Sequence, residues 1–266
     1  MKSKVLSILY IFLISGALLS CKSRAHDVWA EGWESYPIPE TRDEVAEYAA
    51  SNKALQVYLK HDSVLVRAQP KVNKQPLPFE INIANNDDAW QFGGDRAVTA
   101  VNNGYLVGFN RGEWGGHLYW FSKDGKQHYK ISDHQVVQFI QNGGNLYAIE
   151  GLVHGGSSEG SMIIINQEKD KWRAQTFVKL PYAPVAAAVN RHQNFIIATS
   201  SSLVQVNQQA KVRTLAVNRL LRYMPPANSL VIKGDEVYVG MVKGVFRYDL
   251  QAGKQEWLMN DGLQLN

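Results

Sequence analysis

The feature that most constrains this chain is a pattern that recurs four times from Arg96 onward. The units are "RAVTAVNNGYLVGFNRGEWGGHLYWFSKDGKQHYKIS" from Arg96, "QVVQFIQNGGNLYAIEGLVHGGSSEGSMIIINQEKDKWRAQTFVKL" from Gln135, "PVAAAVNRHQNFIIATSSSLVQVNQQAKVRTLAV" from Pro184 and "NSLVIKGDEVYVGMVKGVFRYDLQAGKQEWLMND" from Asn228. Each reads as a short apolar strand, a polar turn, a second strand, a loop of variable length, a third strand, a second turn and a fourth strand. The first turns superpose well: Asn102-Asn103-Gly104, Asn142-Gly143-Gly144, Arg191-His192-Gln193 and Lys233-Gly234-Asp235. The second turns do too, at Lys123-Asp124-Gly125, Gln167-Glu168-Lys169, Gln208-Gln209-Ala210 and Gln251-Ala252-Gly253. Four strands in roughly 40 to 50 residues is the spacing of a β-propeller blade. Blades set radially bury both faces of each sheet and expose only short edges. A β-sandwich or another meander of evenly spaced hairpins is the competing arrangement. The expected class is all-β: a β-propeller of about five four-stranded blades with one short N-terminal helix.

The region before the repeats supplies the fifth blade and the helix. "KALQVYLKHDSVLVRAQ" holds two alternating runs about His61-Asp62, which predicts a hairpin over 54–68. "LPFEINI" predicts a further strand over 77–83, so a divergent blade is expected over about 53–95. Thr41 followed by Glu44 is a capping box, and Val45, Tyr48 and Ala49 then share a face, which predicts a helix over 42–51. Residues 41–266 thus form the propeller domain. Residues 21–40, polar with Trp29, Trp33 and Tyr36, read as a tether that becomes a docked arm.

The N-terminus explains the sole cysteine. Lys2 and Lys4 precede a mostly apolar run over 5–19, which then meets Ser20-Cys21. That is the layout of a secretory signal over 1–20. The run is short for a membrane span, which needs about 20 residues. Leu18-Leu19-Ser20-Cys21 resembles the lipobox of bacterial lipoproteins, although a residue smaller than Leu19 is commoner at its position. The resemblance implies cleavage before Cys21, a diacylglyceryl group on its thiol and a palmitate-type chain on its new amino group. Each buried methylene contributes about 0.8 kcal/mol, so several chains hold where one would be marginal. Lys22, where an aspartate would resemble an inner-membrane retention signal, favours the outer membrane facing the periplasm. An uncleaved helix, or an ordinary signal with a stray cysteine, is the alternative.

Loss of Lys2 and Lys4 lowers the formal charge from +4 to about +2, which is no footprint for nucleic acid. With 45% hydrophobic and 20% charged residues a buried core is expected, and with Cys21 acylated no thiol remains to cross-link it.

In the last unit, "VYVGMVKGVFRYDLQAGKQEW" resembles the blade of quinoprotein-type (PQQ-like) propellers, with Val239-Gly240, Asp249, Gly253-Lys254 and Trp257 at matching places. It is also similar to the propeller repeats of sensor ectodomains. The resemblance implies that the glycine makes a turn and the tryptophan docks between blades. The other three units lack the full pattern. No quinone chemistry follows, and no cofactor is expected.

Strand alternation puts the loop between the second and third strands of a blade on the same end as the connection to the next blade. Three long segments therefore share one end: "NRGEWGGH" over 110–117, "EGLVHGGSSEGS" over 150–161 and "NRLLRYMPPAN" over 218–228. Long loops on rigid scaffolds concentrate contacts. The candidate partner-binding residues are Arg111, Glu113, Trp114, His154, Arg219, Arg222 and Tyr223, since exposed Trp, Tyr and Arg anchor interfaces. Trp114 packed back on a neighbouring blade, and 218–228 as a solvated linker with two buried leucines, are the plainer readings. Glu150 and His154 stand four apart, but no second histidine completes a zinc motif. His117, His154 and Glu159 would form a metal site only if the loops folded together, so no metal and no catalytic residue is assigned. "GGSSEGS" is neither a nucleophile elbow nor a phosphate loop. The inner strands "AVTAV", "VVQFI" and "VAAAV" supply small and apolar side chains, so a plugged axis is expected rather than charged groups converging there. The expected function is a lipid-anchored binding or scaffold protein of the cell envelope, holding a protein, peptide or glycan. The alternatives are an envelope hydrolase or lyase with residues drawn from several blades, and an inhibitor or immunity-type protein against an envelope-acting enzyme or toxin.

Overall fold

The computed structural model describes residues 28–30, 32–49, 54–68, 74–81, 90–223 and 227–260. Their strands pair antiparallel into five sheets. Blade I holds β1 (Val28–Trp29), β3 (Leu55–Lys60) and β4 (Ser63–Ala68) in the order β1-β4-β3. Blade II holds β5 (Asp95–Val101), β6 (Gly104–Asn110), β7 (Gly116–Phe121) and β8 (His128–Ser132). Blade III holds β9 (Val136–Asn142), β10 (Asn145–His154), β11 (Ser157–Glu168) and β12 (Lys171–Leu180). Blade IV holds β13 (Pro184–Val189), β14 (Phe195–Thr199), β15 (Leu203–Val206) and β16 (Val212–Ala216). Blade V holds β17 (Ser229–Lys233), β18 (Glu236–Gly240), β19 (Gly244–Asp249) and β20 (Gln255–Met259), with β2 (Glu34–Tyr36) added outside β20.

The sheets fan about a centre. The first strand of each repeat lies beside that of the next, β5 against β9, β9 against β13 and β13 against β17, and β17 then meets β3. Two stacked layers would not give that chain of inner-strand neighbours, so the fold is an all-β propeller. The core is correspondingly a set of wedges between blades. Leu106 and Leu118 of blade II pack on Val136, Ala148 and Ile163 of blade III, whose Tyr147 and Ile149 face Phe195 and Ile197 of blade IV. Trp257, Phe246 and Val239 of blade V meet Ile196 and Leu203 of blade IV, while Tyr238, Val245 and Leu258 face Leu55, Val57 and Val66 of blade I.

Three expectations need correction. The divergent blade does not draw its outer strand from 53–95, because β1 comes from the arm and pairs Val28 with Val66. Residues 77–81 form no strand, and 82–83 lie outside the described residues. Pro78 removes a ladder donor, and Leu77, Phe79 and Ile81 instead cover the face of blade II that carries Val107, Phe109, Tyr119 and Phe121. Among the described residues there are two α-helices rather than one. Helix α1 (Arg42–Ala49) has the reciprocal cap its sequence announces, Glu44 N–H donating to Thr41 Oγ1 at 3.2 Å and Thr41 N–H to Glu44 Oε2 at 3.1 Å. Helix α2 (Arg219–Tyr223) is new, and residues 50–53 lie outside the described set. Among the described residues no helix is long and apolar enough to cross a membrane.

The arm is clipped to blade V by a hydrogen bond to a carboxylate as well as by strand pairing. The Glu256 carboxylate accepts from Lys254 Nζ at 2.9 Å, from Arg247 Nε at 2.8 Å and from Ser35 Oγ of β2 at 3.0 Å. Lys254 first, then Arg247 and Ser35, hold the carboxyl from its ordinary 4.5 down to about 2. A carboxyl lowered in the folded state stabilises above its ordinary value, and that contribution fades as pH falls toward about 2. Urea midpoints measured from neutral pH to about pH 2 are therefore expected to fall more steeply for the parent than for Glu256→Gln. Parallel acid profiles would show the carboxylate contributes nothing.

Candidate functional site

One end of the propeller collects the elaborations. It carries the connection 111–115 of blade II, the tip of the β10–β11 hairpin, the link 181–183, and α1 with α2, which pack together through Val45, Leu220 and Leu221. Asn218 caps α2, its Oδ1 accepting from Leu221 N–H at 2.9 Å. That Asn-x-Leu-Leu start is a signal the sequence carries and the linker reading passed over. Among the described residues seven large apolar side chains are exposed, and six of them, Trp90, Trp114, Val153, Tyr182, Val217 and Tyr223, belong to this end. Leu59, beside the turn at the far end of blade I, is the seventh.

The candidate residues fall into two clusters there. In the first, Gly112–Trp114 form a 3-10 turn held by Asn110 Oδ1, which accepts from Gly112 N–H at 2.9 Å, and by Gln135 Nε2, which donates to Gly112 O at 2.5 Å. Gly112 and Gly115 have φ of 61° and 83°, so the glycines allow the tight turn that lifts Trp114 to 72% exposure. Glu113 Oε2 reaches His154 Nδ1 at 3.2 Å and so bridges blades II and III.

Arg111 behaves otherwise than expected. Its guanidinium lies 3.5 Å from the centre of the Trp90 ring, and Nη2 donates to His117 Nε2 at 3.3 Å. Nε and Nη1 are buried without a hydrogen-bond partner. Arg111 is thus turned inward as a strut under the loop, and its burial lowers its pKa. Because guanidinium only donates, His117 Nε2 accepts and the ring proton sits on Nδ1, which donates to Asp133 Oδ1 at 2.8 Å. Burial lowers the His117 pKa against the pull of Asp133, while Asp133 is itself held low, first by Lys130 and then by His117.

The expected loop over 150–161 is a paired hairpin instead. Strands β10 and β11 stay in register out to His154 opposite Ser157, closing on Gly155 and Gly156 at φ of 57° and 85°. Serine and glycine made this stretch read as irregular. Gly160 is needed because a Cβ there would meet Pro184 Cδ of blade IV at 2.3 Å. Pairing Glu150 with Ser161, Leu152 with Glu159 and His154 with Ser157 puts these side chains on one face by strand alternation. Glu150, Leu152, His154, Ser157 and Glu159, with Gln135 and Lys179, line a cleft of about 410 Å³. Ser161 Oγ donates to Glu150 Oε1 and steadies that carboxylate. Among the described residues no group of three or more His, Cys, Asp or Glu is placed to hold a metal, so His117, His154 and Glu159 do not converge.

The second cluster lies on α2. Tyr223 is exposed, with Arg222 and Arg42 of α1 at 5.7 and 5.9 Å from its ring centre. Arg219 opens the same helix. A depression of about 340 Å³ lined by Asp95, Val137, Leu152, Pro184, Val185 and Ala227, among others, occupies the same end. Met224, Pro225 and Pro226 lie outside the described residues, as does Cys21.

No family model matches this chain, and no curated protein does. Solved structures do show similarity. A virginiamycin B lyase from Staphylococcus aureus, solved with quinupristin, aligns at 12% identity and a TM-score of 0.46, covering 68% of this chain and 59% of that one. A gluconolactonase from Xanthomonas campestris aligns at 10% identity and 0.41, covering 63% and 57%. The extracellular domain of a protein described as a hybrid two-component system from B. thetaiotaomicron aligns at 10% identity and 0.48, covering 86% of this chain and 30% of that one. This chain spans 54–59% of the length of the lyase structures. Similarity at this level assigns neither a family nor an activity.

Proposed function

We propose that this chain is a lipid-anchored propeller of the bacterial cell envelope that holds a protein, peptide or glycan on its elaborated end. The single observation that carries the binding role is the segregation of exposed large apolar side chains, six of seven among the described residues, to that end. Apolar groups gathered on one face of an otherwise polar surface mark contact sites. The anchor is proposed from Cys21 and the apolar run before it, with the outer membrane, periplasmic side, as its place.

The test uses the full-length protein in its own membrane, cross-linked and recovered with its partner. Trp114→Ala and Arg222→Ala are each expected to reduce recovery, by about thirtyfold for a residue at the centre of the contact. Both side chains are outside the core, so melting temperatures should stay within about 2 °C of the parent. Undiminished recovery with both variants would discard this face. Mass spectrometry of the mature protein tests the anchor separately: an N-terminus other than acylated Cys21 would remove it.

A further inference from the structure

We infer that the cleft between blade II and the extended hairpin of blade III binds a neutral saccharide. The inference rests on the elaborated end being the contact face and names the ligand class that one part of it suits. Its volume, about 410 Å³, lies in the range of small-molecule sites. Its lining mixes hydrogen-bond acceptors and donors on a rigid support. Glu150 and Glu159 offer carboxylate oxygens, Gln135 an amide, Lys179 an ammonium and Ser157 a hydroxyl.

The lining carries charges of both signs. An anion entering the cleft meets Glu150 and Glu159, while a cation meets Lys179, which stands opposite Ser161 in the β11–β12 ladder. A neutral polyol suffers neither repulsion. Its hydroxyls donate to the carboxylates and accept from the ammonium and the amide, forming charge-assisted hydrogen bonds in both directions.

The support is stiff because both walls are tied down. The Glu150 carboxylate is fixed by Ser161, and the back of the hairpin rests on blade IV through Gly160 against Pro184. The Gly112–Trp114 turn packs on β10, and its Glu113 pairs with His154 of the lining. Trp114, exposed on that turn, follows directly on the Glu113 that pairs with His154 of the lining, and the electron-rich face of its indole suits the C–H face of a pyranose.

Calorimetric titration of the full-length protein is the test. The probes are glucose, galactose, N-acetylglucosamine, maltose and cellobiose, with glucosamine and glucuronate as charged comparators. At least one neutral sugar is expected to bind saturably. Its Kd should rise about tenfold or more in Glu159→Gln and in Trp114→Ala, while Arg191→Ala, at the opposite end, leaves it unchanged. Melting curves check that each variant is folded. Absence of saturable heat for every neutral sugar up to about 20 mM would overturn the inference. So would tighter binding of glucosamine or glucuronate than of glucose, or sugar binding that both cleft variants leave intact. If no sugar binds while Trp114→Ala still loses its protein partner, the contact face stands and only the saccharide falls.

Discussion

Replacing Trp257 with alanine is expected to lower stability by about 3–5 kcal/mol, the range for deleting a large aromatic from a packed core. For a domain of this size that is a drop of roughly 6 to 20 °C in melting temperature. Trp257 is wholly buried and among the largest such side chains of the protein. It belongs to the wedge between blades IV and V, which also holds Phe246, Ile196 and Leu203. The same cluster includes Val45 of α1 and Leu220 and Leu221 of α2, so the cavity would loosen the helices that carry Arg222 and Tyr223 as well as the blade. The indole is closely seated: a Cβ on Gly244 would come within 2.4 Å of its Cζ2. Trp257→Phe keeps part of the volume and should fall between the parent and the alanine variant. A loss below about 1 kcal/mol for the alanine variant would show that the tryptophan does not hold the blades together. The resemblance of the last repeat to quinoprotein-type blades implied this docking, and the structure places Trp257 in it.

The second large effect is expected at Gly240, whose role differs from the turn that the same resemblance implied. Gly240 ends β18 at an ordinary backbone conformation, and its lack of a side chain matters for space. A Cβ there would lie 2.4 Å from Leu55 O, 2.4 Å from Ser229 Oγ and 3.0 Å from Val57 N. Two of those atoms are backbone of β3, so relief requires blade I to move away from blade V. That movement would break the bond from Val57 N–H to Ser229 Oγ at 2.9 Å and the one from Leu55 N–H to Met241 O at 2.9 Å. Overpacking and two buried groups left unpaired together predict a loss of about 3–5 kcal/mol for Gly240→Ala. Hydrogen exchange gives the sharper readout. Protection should collapse at Leu55 and Val57 and persist at Ile163 in blade III. Ser229→Ala, which removes the hydroxyl and adds no bulk, should show a smaller change confined to Val57. Uniform loss across all blades would mean that blade I is not a separately docked unit.

The sequence was most legible where structure is local. The capping box of Thr41 and Glu44, the turn at His61 and Asp62 with φ of 48° and 60°, and the four repeats all appear where alternation and turn residues placed them. Failures came where a local pattern was overruled by a distant partner. Residues 77–81 alternate like a strand, yet they serve as a lid of apolar side chains, because blade II had an uncovered face and Pro78 a missing donor. Residues 150–161 look like a loop, yet Gly151 and Gly160 are required by the contact with Pro184, Gly155 and Gly156 close the turn, and Ser158 and Ser161 bond beyond and within the hairpin. Arg111 reads as a surface charge, but Trp90 and His117 capture it. Trp90, Tyr182 and Val217 join the exposed end only in the folded molecule, since nothing in a stretch of sequence says which end of a sheet its neighbours share.

Within the four repeats the chain's own order of residues determined how many strands form, where they turn and in which succession they pair, because hydrophobic alternation and turn preference act over a few neighbouring residues. Only the packed molecule decided which blade faces which, which side chains the wedges swallow and which are left together in the open. Those outcomes depend on space and partners contributed by residues far apart in the chain, as when Gly240 makes room for a strand that begins at Leu55.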